Sequence, residues 1–526
     1  MKTSLALPLT PAHELTSWHE KLDQENKQPE ISLTTEGPGE DSQGPGEDWA
    51  HLEVQGSKLP DARFNKSMAN ICQDLYRQPG IAFSRACGSK RKAAHRIMSM
   101  PQITPQVLLQ GHAKSTLQRA QNYPFFLAAS DTTTFDFTTH EATTGLGPIA
   151  TSKTARGFLT HSVLGISPQG TPLGVLYQAS WVRDLESYGK SNQRHQRAGV
   201  DKESHKWVQA LQGVESHLGP EDQVLLIQDR EADIFAFLQQ PRRETTHLLI
   251  RSCHPRRVLL EQTTPPQEKT TPPQEKRNLW DVARSSEVVA QKVLEVKVKK
   301  GNEFVSRSAD LTIRCTSVEI LPPANAKSEL PLKSELPNLR IWVICAREET
   351  PPEGFAPIEW ILLSTFPVLE GQTALDMVRF YSYRWLIERF HFVLKSGFGV
   401  ERLQFDDADS LMKGLSFYSI VAWRLLYLTY LAREDPDAPA SCVFDTLSLE
   451  VLSSYKGSVI YRIVDAVATV ARLGGFRPCP SAPRAGLKSL WLGLIRLDAM
   501  CEGWQMAKRG LPAPTALGML RDTGQD

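Results

Sequence analysis

The chain has 526 residues, 41% of them hydrophobic and 23% charged, which is typical of a soluble protein with roughly two to four domains and a large buried core. Its eight cysteines are scattered without a C-x-x-C pair, which argues against a zinc site and favours reduced thiols in a cytoplasm. No positively charged segment with a following apolar stretch opens the sequence, so we expect no secretory signal.

The net charge of +1 hides two segments of opposite sign. Residues 1–60 carry 4 Lys and Arg against 11 Asp and Glu, a net charge of −7, whereas residues 61–120 carry 10 against 2, a net charge of +8. A basic block beside an acidic leader is the asymmetry expected when the basic segment binds a polyanion such as nucleic acid.

The first elements in chain order are a tail and a group of helices. Residues 1–48 are rich in Pro, Gly and Glu and are predicted to be a disordered acidic leader. From Trp49 to Ala120 the apolar spacing is helical, most clearly in MANICQDLYRQ and QVLLQGHAKSTLQRAQ.

Strands come next. They are predicted in PFFLAAS, GFLTHSVLGIS, PLGVLYQASWVR and DQVLLIQ, with a helix over residues 201–218 before the last strand and another in EADIFAFLQQ after it. Residues from Arg251 to about Trp360 have β texture, and those beyond Ala374 are predicted to be helical. The stretch from Leu415 to Leu431 is apolar but short and carries Arg424, so we predict a buried core helix and no membrane span.

One predicted helix, YSYRWLIERFHFVLK at residues 381–395, mixes charged and bulky apolar side chains. At about 100° per residue, Tyr381, Arg384, Glu388 and Lys395 fall within an arc of roughly 60° on one face. A solvated face would give the same pattern, so the interpretation depends on the rest of the chain.

Two aspartates, Asp131 in AASDTTTFD and Asp229 in LIQDREAD, stand just past predicted strand ends, where functional groups collect in sheets flanked by helices. An Asp at a strand end is also a common helix N-cap. With Glu388 they form a set of three carboxylates without clustered His or Cys, which suits Mg²⁺ or Mn²⁺. Two such ions about 3.5–4 Å apart support phosphoryl transfer, and Arg384 and Lys395 would then bind phosphate.

These residues carry a resemblance to a known family. Tyr381-x-x-Arg384-x-x-x-Glu388-x6-Lys395 resembles the YREK signature of the DDE insertion-sequence transposases. Similar blocks occur in the family's order: DTTTFD, RGFLTHSVL, DREADIFAFL, IRSCHPR, PIEWILLSTFPV and ARLGGF. The similarity covers roughly residues 49–504, and the YREK and DREAD blocks are its most specific parts.

The resemblance implies an α/β fold with an RNase H-like catalytic core, a β-rich insertion between the second and third acids, an N-terminal helical DNA-binding domain and a C-terminal helical domain. The expected divisions are the leader at 1–48, a DNA-end-binding domain at 49–120, a catalytic domain at 121–410 with its insertion at about 254–358, and a dimerisation domain at 411–526.

It also implies a cut-and-paste DNA transposase of the bacterial cytoplasm, associated with the nucleoid. Asp131, Asp229 and Glu388 would be the catalytic triad and would hold two Mg²⁺ ions, for which Mn²⁺ can substitute. The family nicks each transposon end, forms a hairpin with the freed 3′ hydroxyl, opens it with water and joins the ends to target DNA. The implied partners are transposon-end DNA, target DNA and a second copy of the chain in a synaptic complex.

By the same resemblance, Tyr381, Arg384 and Lys395 hold DNA phosphate and Arg251 lies close to them. Trp360 would stack where a base is flipped out, although core filling is an equal alternative on the sequence. The sequence departs at Phe392 from a member of the family that has a basic residue there, so the contacts to phosphate are expected to be weaker or to be divided differently among the remaining cations.

Two further features are interpreted with the resemblance. The basic segment GSKRKAAHR is expected to bind end DNA rather than to be a solvated helix face, through Lys90, Arg91, Lys92 and Arg96. An apolar stripe in the last predicted helix is either core or a dimer interface, and the resemblance favours the dimer; it consists of Leu490, Leu494, Leu497, Met500 and Trp504.

Two rival functions stay open at this point. A tyrosine recombinase could use Tyr381 and Arg384 without a metal, but it would leave the three carboxylates unexplained. A non-catalytic repressor derived from a transposase would bind the same ends without cutting them, and the intact acids count against it.

Overall fold

The computed structural model describes residues 49–78, 80–149, 154–184, 203–260, 275–300, 303–323, 336–479 and 485–509. The predicted acidic leader lies outside the described residues. Helices at both ends of this part of the chain flank a long β sheet. The expectation of a mixed α/β fold is therefore confirmed.

The helices that precede the sheet agree with the apolar spacing of the sequence. They are α1 (Trp49–Val54), α2 (Ala62–Arg77), α3 (Phe83–Ala86), α4 (Arg91–Ser99) and α5 (Pro105–Ala120). The side chain of Asp61 accepts a hydrogen bond from the Arg63 N–H and caps α2. Thr104 caps α5, whose first residue is a proline. The two clearest predicted helices, which became α2 and α5, are thus confirmed.

The first half of the sheet contains β1 (Phe126–Asp136), β2 (Gly147–Pro148), β3 (Arg156–Ile166), β4 (Pro172–Trp181), β5 (Val224–Gln228) and β6 (Thr246–Arg251). The spatial order is β2-β3-β1-β5-β6, and β4 pairs with the remaining side of β3. β3 runs antiparallel to β1 and β4, whereas β1, β5 and β6 run parallel to one another. Helix α6 (Lys206–Glu215) connects β4 to β5, as predicted.

The second half of the sheet is built from the segment predicted to be a β-rich insertion. It contains β7 (Arg257–Leu260), β8 (Arg277–Asn278), β9 (Val288–Lys300), β10 (Glu303–Ile320), β11 (Leu339–Glu348) and β12 (Glu359–Ser364), with helix α8 (Leu279–Ser285) after β8. The order continues from β6 as β12-β11-β10-β7-β8, and β9 pairs with β10. The insertion strands therefore extend the sheet that carries β1, and the described strands form one sheet of 12.

Alternate residues of β1 face the two layers that cover the sheet. Leu127 and Ala129 belong to one apolar core, whereas Phe126 and Ala128 belong to the other. This alternation is the period of two expected of a strand, and burial on both faces explains why the segment is a continuous apolar run in the sequence.

The helices after the sheet are α9 (Gly371–Ser382), α10 (Trp385–Phe392), α11 (Ala408–Glu434), α12 (Thr446–Lys456), α13 (Ile463–Leu473) and α14 (Leu487–Lys508). Helix α11 is long and apolar enough to cross a membrane by length and composition alone, and 83% of its most apolar window is buried inside the protein. Arg424 lies within it and is 4% exposed. The helix is thus part of the core, as predicted.

The prediction of a single helix over residues 381–395 was wrong. α9 ends at Ser382, and the N–H groups of Tyr383, Arg384, Leu386 and Ile387 bond to carbonyls three residues back, which tightens the turn. After α10 the chain widens into a π turn at Val393–Gly397, where the Phe398 N–H bonds to the Val393 carbonyl. The step of about 100° per residue therefore does not hold from Tyr381 to Lys395.

The apolar stripe of α14 is mainly core, so its interpretation as a dimer interface was wrong. Leu490, Leu494 and Leu497 are at most 5% exposed within one copy of the chain. Their helix packs on α12 and α13, and Met500 and Trp504 are partly buried against the same core. Side chains already covered by their own chain cannot form the centre of an interface without rearrangement.

A buried ion pair fastens the N-terminal helices to the sheet. Glu53 in α1 accepts hydrogen bonds from Arg119 at 2.6 Å and from His112 Nδ1 at 2.5 Å, both in α5. His112 Nε2 accepts from the Val175 N–H in β4, so this histidine is held as the neutral Nδ1–H tautomer. Burial alone would raise the pKa of Glu53, but the charge of Arg119 and the hydrogen bonds from Arg119 and His112 outweigh it and lower the pKa to about 2.

Replacing Glu53 with Gln should therefore lower the free energy of unfolding at pH 7 by about 3 kcal/mol, because Arg119 loses its charged partner in a buried setting. An acid with a lowered pKa stabilises the fold above its ordinary pKa of 4.5, and the contribution disappears as the pH falls toward 2. Urea unfolding of the full chain at pH 7 and pH 3 measures both effects. Asp61→Asn, which removes an ion pair at the surface, is the control and should change stability little. A similar loss in both variants would contradict the assignment.

Candidate active site

The site lies where β1 extends beyond the end of its parallel neighbour β5. β5 ends at Gln228 and its pairing with β1 stops at Ala129, but β1 continues to Asp136 because it stays paired with β3. Asp131 is therefore inside a strand and not past its end, which corrects the prediction. Asp229 directly follows β5, so both aspartates lie at the edge where the parallel strands end.

Asp229 also caps a turn, as the simpler interpretation of a strand-end Asp predicted. Its Oδ1 accepts the Glu231 N–H at 2.9 Å at the start of a single 3₁₀ turn, Arg230–Ala232. The helix predicted in EADIFAFLQQ is only this turn followed by α7 (Phe235–Leu238). Capping and a functional role are compatible here, because only one carboxylate oxygen is used by the cap.

Glu388 is brought to the same place by α10, which packs on β1 and β3. Arg384 connects the acids: its guanidinium is 2.5 Å from Glu388 Oε1 and 3.7 Å from Asp131 Oδ2. The side chains of the three residues are 20–31% exposed, so the group is partly shielded from water. Three of the predicted site residues are thus joined by direct ionic contacts.

The electrostatics of the acids reflect this crowding. Burial raises the pKa of Asp131 to about 6, and the charges of Asp229 and Glu388 act in the same direction. Burial also raises the pKa of Asp229, aided by Glu231 and opposed by the cations Arg384 and Lys206. The cluster therefore carries more negative charge than one arginine neutralises, and a further cation would be bound favourably.

Irregular turns surround Glu388 on both sides of α10. The tight turn precedes it at residues 383–387 and the π turn comes after it at Val393–Gly397. Both kinds of irregularity are common at functional positions, because they re-aim side chains that a regular helix would place elsewhere. Here they leave Tyr381 buried in α9 while Glu388 and Arg384 face the aspartates.

Tyr381, Trp360 and Arg251 form a second group beside the acids. The rings of Trp360 and Tyr381 meet edge to face with centroids 5.3 Å apart. Arg251 ends β6 and donates a hydrogen bond to the Glu359 carbonyl at 3.2 Å. Burial raises the pKa of Tyr381 against the charges of Arg384 and Arg251. The structure thus brings together three predicted site residues from three separate elements, α9, β12 and β6.

Lys395 lies further along β1 than the acids do. Its ammonium is 3.8 Å from Glu401 and 5.5 Å from the ring centre of Phe135. Phe135 is four residues beyond Asp131, which corresponds to about 13 Å along a strand. Lys395 therefore lies apart from Arg384 and does not join it at the acids.

The predicted basic residues of the N-terminal block lie on another element. Arg91, Lys92 and Arg96 are exposed on α4, and Lys90 is half-buried just before it. α4 packs against α2 and α11, and within the described chain no hydrogen bond or ion pair links these four side chains to the acids. They form a separate positive surface.

Sequence reasoning missed Asp233, although the quoted DREAD block contains it. Its fully buried carboxylate bonds to Arg256 at 2.6 Å and accepts the N–H groups of Cys253 at 2.7 Å and His254 at 3.1 Å. It therefore ties the turn after Asp229 to the loop after Arg251. The available signal in the sequence was Asp233 itself, a second acid that follows Asp229 by four residues and belongs to no apolar periodicity.

A metal could bind at two places in the described chain. Ligand atoms of Asp233, Cys253 and His254 lie within 4.8 Å of one another, but the Asp233 oxygens are already used by Arg256 and two backbone N–H groups. The oxygens of Asp131, Asp229 and Glu388 do not all approach that closely, since Arg384 stands between two of them. Their all-oxygen donors and excess negative charge fit a hard divalent cation, and this site fits it better.

Comparisons with known proteins add little to this geometry. No protein-family model matches the chain. One similar structure is the piggyBac transposase synaptic complex with hairpin DNA, at 12% identity and a TM-score of 0.30, with 96% of this chain and 80% of that one aligned. A TM-score of that size carries no inference about fold or chemistry, so the functional assignment rests on the residues of the site.

The burial of Asp131 beside other acids predicts that Asp131→Asn stabilises the protein. With its pKa raised from 3.8 to about 6, the carboxylate is charged at pH 8 at a cost of about 1–3 kcal/mol, which the neutral amide removes. The gain should be largest above pH 6 and should vanish near pH 3.8. Thermal unfolding at several pH values measures it, with the exposed Glu141→Gln as control. No gain at pH 8 would mean that the folded state does not disfavour the charged Asp131 carboxylate.

Proposed function

We propose that the protein is a metal-dependent DNA transposase of the DDE type that works by cut-and-paste. The observation that carries the proposal is the contact of Arg384 with both Asp131 and Glu388, at the edge where parallel strands end and where Asp229 also interacts electrostatically with Arg384. The proposed core is RNase H-like and consists of the β1–β6 half of the sheet, with β7–β11 as the insertion. The YREK and DREAD blocks support the same interpretation.

The three acids would hold two Mg²⁺ ions, or Mn²⁺ in their place. When bound, the ions supply a polarised attacking oxygen and a stabilised leaving oxygen in phosphoryl transfer on DNA. Arg384 would turn from the acids toward a DNA phosphate, which its planar fork can bind through two hydrogen bonds. Lys395 and Arg251 would hold phosphates on either side of the acids, and Asp233 would keep the loops of Asp229 and Arg251 in register.

The tyrosine recombinase alternative conflicts with the setting of Tyr381. This side chain is 5% exposed, lies against Trp360, and has a pKa raised by burial. A nucleophilic hydroxyl must reach a phosphate and lose its proton, and both requirements oppose that setting. The alternative of a non-catalytic repressor is decided by cleavage of end DNA.

The proposed partners are transposon-end DNA, target DNA and a second copy of the chain, in the nucleoid of a bacterial cytoplasm. Lys90, Arg91, Lys92 and Arg96 on α4 would contact the end DNA, with a strong dependence on salt. Since the buried stripe of α14 is occupied within one chain, the proposed dimer would need another surface.

The acids are tested by cleavage of end DNA with Mg²⁺ titration. Asp131→Asn, Asp229→Asn and Glu388→Gln should each abolish nicking, because the loss of one anionic ligand disturbs both ion positions. DNA binding should survive, since it depends on the separate basic surface. Asp136→Asn is the matched control: it lies on the same strand, is exposed, and should cut normally. Substantial cleavage by any of the three variants would contradict the assignment of these acids as metal ligands. A native protein that binds end DNA but does not cut it would favour the repressor.

Trp360 is tested by separating the first nick from hairpin formation. Stacking of an aromatic ring on a flipped base contributes about 1–3 kcal/mol, so Trp360→Ala should slow the hairpin step roughly ten- to a hundredfold and leave the first nick nearly intact. Trp342→Ala is the control, since Trp342 is partly buried on the same face of the neighbouring strand β11. If both steps slow equally and the melting temperature falls as for the control, Trp360 only fills the core.

A further inference from the structure

A cavity of about 260 Å³ lies away from the acids, between α1, α5 and α11. It is lined by aromatic, cationic and amide side chains, including Trp49, Gln118, Arg119, Asn122, Trp423 and Arg424. None of these residues takes part in the proposed DNA chemistry. Two arginines, Arg119 and Arg424, therefore line one small cavity without a role in that chemistry.

Arg424 is the unusual member. Its side chain is 4% exposed, Nη2 donates to the Val443 carbonyl at 2.9 Å, and the guanidinium lies 5.1 Å from the ring centre of Trp49. Its Nε is buried without a hydrogen-bond partner. Within the described chain no carboxylate forms an ion pair with it. A buried guanidinium in that state is destabilising unless an anion accompanies it.

The nearest acid does not compensate this charge. Glu53 also lines the cavity, but both of its oxygens are bound by Arg119 and His112. His112 is neutral because it accepts the Val175 N–H. Glu53 and Arg119 cancel, so Arg424 leaves the cavity with one unbalanced positive charge. The other polar groups near Arg424 are the hydroxyls of Tyr76 and Tyr427, which are neutral.

We propose that this cavity is a binding site for a small oxyanion, held by the guanidinium of Arg424. A phosphate oxygen would approach the part of the Arg424 side chain that lines the cavity and neutralise the buried charge. The amides of Gln118 and Asn122, exposed at the cavity, can donate further hydrogen bonds.

Free inorganic phosphate and the phosphate group of a small metabolite offer the same oxygens, so inorganic phosphate is a sufficient probe of the site.

The test is thermal unfolding of the full chain in increasing inorganic phosphate at constant ionic strength. Phosphate should raise the melting temperature by a few degrees, with a saturable midpoint. Arg424→Met should abolish the rise. Arg433→Met is the matched control, since Arg433 lies on the same helix and also stacks on an aromatic ring, 4.8 Å from the centre of Tyr430, but does not line the cavity. Its response should equal that of the native protein.

Further variants keep the result decisive. Arg424→Lys retains the charge without the planar fork, so its midpoint should move to roughly tenfold higher phosphate even if Arg424→Met does not fold. A response unchanged in both Arg424 variants, or none in any protein, would overturn the proposal. DNA cleavage is not measured, so this outcome is independent of the proposed catalysis.

Discussion

The architecture of the site depends on holding like charges together. Three carboxylates repel one another in a partly shielded place, and Arg384 is the cation that makes their approach tolerable when it contacts Asp131 and Glu388. It can do so because Arg384 and Glu388 are four residues apart, on neighbouring turns at the start of α10. Burial is the main cause of the raised pKa of Asp131, and the charges of Asp229 and Glu388 add to it against that of Arg384. Such a group retains an excess of negative charge and is ready to accept another cation.

The backbone supplies the opening into which these side chains point. A strand that outlasts its parallel neighbour leaves an unpaired edge, and β1 does so from Asp131 onward while β3 keeps it rigid. The buried carboxylate of Asp233 then fixes the loops that follow β5 and β6. The loops therefore do not need to find their positions when a ligand arrives, and less conformational entropy is lost on binding.

Much of this could be predicted from the sequence because it is local. Continuous apolar runs located β1 and β5, helical spacing located α2 and α5, and carboxylates after these runs identified Asp131 and Asp229. The course of residues 381–395 could not be predicted, because a tight turn and a π turn conserve the helical composition while changing the angle between side chains. The apolar stripe of α14 was ambiguous for a related reason. Apolar spacing shows that one face of a helix is buried, but it does not show whether the same chain or a second copy buries it.

The pairing of distant strands was also beyond the sequence. Nothing in the residues of β12 indicates that it pairs with β6 and continues the same sheet. That continuity has a geometric consequence. Neighbouring strands rotate by about 20–25° relative to one another, and five steps separate β1 from β10, so the axes of the two strands differ by roughly 100–125°. At the average twist, β10 is expected to run nearly crosswise to the strand that carries Asp131, so that one hydrogen-bonded sheet would present two surfaces at about a right angle.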